Sequence, residues 1–317
     1  ATDGQLARIM QFIDRLPSRG RLDDVVAPIR GRLALARPSR SVTPARVLTA
    51  PIEDLLVDPA CEAVSPSALP RDILGVFHRI ALDAVDAAEL AALEDEAQGA
   101  VMGEAEKVIA MGRRLWPTAA AALRAFSADG EAAPAGWRPS HQQRLLVIAE
   151  LLEHGEALLG FLARLPARGC SHGGHIAQTA CDMLAWAGEQ SDVLGRCAAA
   201  MLLRRLGDPA AAFAAVEHCR CGGATARAAG LLADAVDECL REVELTVAAT
   251  AASPPPSPFA AAENLQRLAA MLKTLEAGPP PPGAVNFAIR LAAARNAAQT
   301  LAEDAYQRLL NGPAGER

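Results

Sequence analysis

Along this chain, apolar residues recur at the three- and four-residue spacing of a helix. Leu6, Ile9, Met10 and Ile13 form the first stripe, Ile73, Leu74, Phe77 and Ile80 another, and Leu194, Cys197, Met201 and Leu202 repeat the pattern. That spacing puts each set on one face of an α-helix. Ala and Leu dominate the composition, and both favour helix. The β-branched and aromatic runs that strands favour are nearly absent, aromatics making up only 3% of the chain. These features predict an all-α protein.

Prolines and glycines divide the stripes. Pro17-Ser-Arg-Gly20 ends the first helix, and Pro28 lies in the early turns of the second. Pro117 is expected to open a new helix after Trp116, because proline is tolerated in a first turn and disruptive within a helix. Ser127 to Pro139 carries no stripe and reads as a long loop or a domain boundary. The stripe from His141 is expected to continue past Gly155 to Leu165, where Pro166 stops it. Ala248 to Pro258 reads as a linker, and Pro279 to Pro282 as a rigid spacer. The expected organisation is a helical region over 1–126, a loop over 127–140 and a helical-hairpin region over 141–248. A linker over 249–258 and a C-terminal helix pair over 259–317 complete it. Helices of about 10 to 15 residues joined by short turns suggest an array of antiparallel helical hairpins, α-solenoid-like or an irregular bundle, with a proline-linked C-terminal helix pair. No 34-residue period is found, so the array is repeat-like rather than a repeat.

Two proline-started turns stand between the second helix and the Ile73 stripe. Thr43-Pro-Ala-Arg-Val-Leu48 has an N-cap and a proline at the first helical position, and Pro51-Ile-Glu-Asp-Leu-Leu-Val57 follows it. The segment 43–59 resembles a stretch found in uncharacterised bacterial helical proteins. Arg46, Leu48, Pro51, Leu55, Val57 and Asp58 are the matching residues. The resemblance covers at most the first quarter of the chain and implies no particular activity. Read from its residues, the segment is a compact corner that folds the N-terminal helices back.

Charge and cysteine content bound the function. Lys107 and Lys273 are the only lysines, so nearly all basic charge is arginine, a usage expected of a GC-rich bacterial genome. Nine arginines from Arg8 to Arg46 make the first segment basic, but no aromatics are interleaved to stack bases. With a net charge of −6, nucleic acid is not an expected partner. The seven cysteines are irregularly spaced, and most sit at apolar helix positions. That fits a reducing, cytoplasmic compartment better than a disulfide framework. No apolar run approaches the roughly 18 residues of a membrane span, and Ala1-Thr-Asp-Gly shows no basic segment followed by an apolar core, so no signal peptide is visible in a chain whose processing stays open.

One stretch gathers the residues suited to chemistry. Cys170-Ser-His172-Gly-Gly-His175 begins it and His218-Cys219-Arg-Cys221 ends it. His172, His175, His218 and Cys221, with Cys170 or Cys219 as alternates, would supply the nitrogen and sulfur ligands of tetrahedral zinc. Helices would have to bring the two halves together, because neither a C-x₂-C pair nor H-E-x-x-H is present. The competing reading is a glycine-rich turn with solvated histidines. Cys181 and Cys197 fall where their helices need small apolar residues. Glu150 and His154, four apart, form either a general acid–base pair or a solvated polar face. No phosphate-binding glycine loop with its lysine and no G-x-S-x-G elbow is present.

The expected function is a non-enzymatic scaffold or adaptor that binds a protein partner, without a cofactor. The alternatives are a metal- or redox-responsive protein using the Cys/His stretch, with zinc as its ion, and a helical enzyme with an unfamiliar site.

Overall fold

A computed structural model describes residues 42–57, 67–97, 105–129, 137–165, 174–206, 212, 222–253, 258–276 and 286–311. The fold is all-α. Its helices are α1 (Pro44–Thr49), α2 (Ile73–Asp83), α3 (Ala87–Ala97), α4 (Ala105–Asp129), α5 (Pro139–Glu153) and α6 (Gly155–Arg164). They continue with α7 (Gly174–Glu189), α8 (Asp192–Leu206), α9 (Gly222–Ala252), α10 (Pro258–Glu276) and α11 (Phe287–Asn311). A 3₁₀ turn, Ala50–Leu55, follows α1. The strands among the described residues are two short ones, β1 (Leu56–Val57) and β2 (Leu69–Pro70). They pair in parallel with Leu56 opposite Leu69.

The proline-started turns lie deep in the molecule. Thr43 is extended, and its Oγ1 accepts from the Arg46 N–H at 3.3 Å, capping α1 just ahead of Pro44. Val47, Leu48, Ile52 and Leu55 are fully buried, and Pro51 is buried with them. Of the residues that carry the resemblance, Leu48, Pro51, Leu55 and Val57 therefore build core, while Arg46 is exposed. Asp58 lies outside the described residues. Each such aliphatic side chain contributes about 1.5–3 kcal/mol by leaving water. The corner is a keystone: α1 packs on α4, and the 3₁₀ turn packs on α5, α6 and α8.

Trp116 joins the keystone to the bundle. Its indole is 2% exposed, and its Nε1–H donates to the Val47 carbonyl at 3.0 Å. Two glycines make room for the ring. A Cβ on Gly112 would lie 2.2 Å from Trp116 Cζ2, and one on Gly155 would lie 2.8 Å from Cε3. The chain breaks between α5 and α6 at His154, where φ is −105° and ψ 12°. The expected uninterrupted helix through Gly155 is thus two helices, with the break lying where the backbone passes the Trp116 ring.

Pro117 does not open a helix. It lies inside α4, which runs 25 residues without interruption. A proline there removes one helical hydrogen bond and costs about 3 kcal/mol. Leu115, Trp116, Ala119, Ala120 and Leu123 are all buried on the same helix, and their packing outweighs that cost.

One hydrophobic cluster runs from Val42 through the core faces of α2 to α11, as far as Ala298. Successive helices pack together, as in α4 with α5, α7 with α8 and α10 with α11. Helix α9 also contacts α7 and α11, so packing is not confined to consecutive pairs.

Candidate functional site

Of the six proposed zinc ligands, only His175 lies on a described element, the first turn of α7. His172, His218, Cys221, Cys170 and Cys219 lie outside the described residues. Among the described residues, no group of three His, Cys, Asp or Glu is arranged to hold a metal ion.

The cysteines of the helical stripes differ from one another. Cys197 and Cys239 are buried free thiols, as their stripes require, and burial pushes both upward in pKa, Cys239 to about 12. Such thiols are small hydrophobes and poor nucleophiles. Cys181 is half-buried and disulfide-bonded, which corrects its reading as apolar filler.

Glu150 and His154 each serve a structural role. The Ser191 hydroxyl donates to Glu150 Oε1 and accepts from the Leu194 N–H at 3.1 Å, so Glu150 holds the N-cap of α8. The His154 ring meets Trp186 edge-on at 5.8 Å. Trp186 in turn contacts Phe161, whose ring lies under the Arg164 guanidinium at 5.2 Å.

Most of the described charged groups that converge do so to join elements. At the keystone, Arg205 pairs with Asp54 at 2.9 Å. Arg204 donates to the Asp54 carbonyl at 3.0 Å and to Glu242 at 2.8 Å. Ser67 donates to Glu238 at 2.6 Å. This half-buried network ties the 3₁₀ turn and Ser67, two residues ahead of β2, to α8 and α9. Arg290 forms a second junction, bidentate to Glu244 at 2.9 and 2.7 Å and bonded to Asp237 at 2.6 Å. These bonds raise its pKa further and fasten the first turn of α11 to α9. On α4, Arg124 pairs with Glu153, and Arg114 with Glu89 and Glu96, at exposed positions.

The edge formed by α10 and α11 differs from these junctions. Leu275 of α10 and Phe287, Ala288, Leu291 and Ala292 of α11 line an open groove of about 430 Å³, with Glu276 and Arg295 at its rim 3.6 Å apart. Phe287, Ala294 and Ala298 face the core, with Leu291 and Leu301 half-buried beside them. The opposite side of α11 carries Ile289, 70% exposed, and Tyr306, 60% exposed. Phe287, Leu291, Ala294, Ala298 and Leu301 recur at helical spacing in the sequence and mark the buried seam, whereas the outer face carries no such stripe because its residues are mostly small or polar. The available signal was two large apolar side chains off the seam.

No helix among the described residues is long and apolar enough to cross a membrane. The chain matches no protein family, no curated protein and no solved structure.

Proposed function

We propose that this chain is a non-enzymatic helical scaffold or adaptor whose α10–α11 edge receives a helix of a protein partner. The groove between the two helices is the observation that supports it. It is concave, lined by apolar side chains, open to solvent and rimmed by one ion pair. Such a surface suits an amphipathic helix laid along it. Ile289, 70% exposed, adds a large apolar side chain to α11 one turn from Ala292. Large exposed side chains of this kind are the anchors around which interface energy concentrates.

The test is affinity capture from the cells that make the protein, comparing the natural chain with Ala292→Glu by quantitative mass spectrometry. Position 292 is exposed, so the fold tolerates the charge. The expected result is a protein captured by the natural chain and lost at least tenfold with the variant. An identical capture list from both refutes the reading.

A second reading has one observation in its favour. The disulfide at Cys181 supports a redox-responsive protein. Thiol counting on protein purified under argon tests it together with the proposed cytoplasmic location. Seven reactive thiols after denaturation support the cytoplasmic placement, and seven that persist after mild oxidation of the folded protein remove the redox reading. Metal analysis of the same sample decides whether zinc belongs to the Cys/His stretch.

A further inference from the structure

We draw no further inference here: the strongest candidate, the disulfide at half-buried Cys181 on α7, has its second cysteine outside the described residues, because Cys197 and Cys239 are free, so nothing in the structure shows which segment it ties to α7.

Discussion

Replacing Gly112 with alanine puts a methyl group where the Trp116 ring already lies. The added Cβ would be 2.2, 2.3 and 2.4 Å from Cζ2, Cη2 and Cε2 of the ring. The ring has no easy direction of retreat. Gly155 closes one side, with Pro51 beside it, and the Nε1–H is committed to the Val47 carbonyl. Alanine gains about 1 kcal/mol over glycine in a helix interior. Against this stand an overpacking cost of about 1–3 kcal/mol and a further 1–3 kcal/mol if the displaced indole leaves the buried carbonyl unsatisfied. Gly112→Ala should therefore destabilise the protein by about 2 kcal/mol. In a Trp116→Leu background the clash disappears, and the same change should stabilise by about 1 kcal/mol. Urea unfolding followed by far-ultraviolet circular dichroism gives all four corners of the cycle. A Gly112→Ala change that stabilises the natural chain, or has the same effect in both backgrounds, would refute the account of Trp116 as the joint of the fold.

Three further outcomes are expected. His78 is half-buried, its Nε2 2.8 Å from Thr49 Oγ1, and burial lowers its pKa against the raising effect of its hydrogen bond to the Ala45 carbonyl. With the folded pKa below the unfolded value, this contribution is fully present above about pH 6.5 and is lost as pH falls through the folded pKa. Chemical denaturation from pH 8 to 5 should therefore show a decline that is smaller in His78→Gln, and equal slopes would contradict it. Arg290→Met removes three charge-assisted bonds at the first turn of α11. It should cost about 1–2 kcal/mol after allowance for its partial exposure, and hydrogen exchange of α11 should accelerate before that of α4. Cys197 and Cys239 should resist a thiol reagent at pH 8 until the protein unfolds, because burial keeps both thiols protonated; rapid labelling of either in the native state would contradict their placement.

The all-α class and most helix positions were legible because amphipathic spacing is a local signal. The Thr43 cap, the apolar character of Cys197 and the buried seam of α11 all follow from neighbours within a few residues. The errors arose where distant residues decide. Pro117 reads as a helix start until the buried residues around it, from Leu115 to Leu123, are seen to hold one helix straight through it. The break at His154 lies where the backbone passes Trp116, some forty residues away in the sequence. Glu150 and His154, four apart, read either as an acid–base pair or as a polar face; that Glu150 accepts from Ser191, the N-cap of α8, is set by packing between distant segments. No local pattern announces such pairings. The candidate site was legible only in part: Phe287 and Leu291 stand at helical spacing in the sequence, but that they line a groove with Leu275 depends on how α10 packs against α11.

A photo-activated cross-linking residue at position 289, in the cells that make the protein, tests the interface most directly. The account predicts one dominant protein adduct. A control at exposed Lys273 on α10 should not form it. Position 289 yielding no adduct beyond that control would contradict the claim that the α10–α11 edge binds protein.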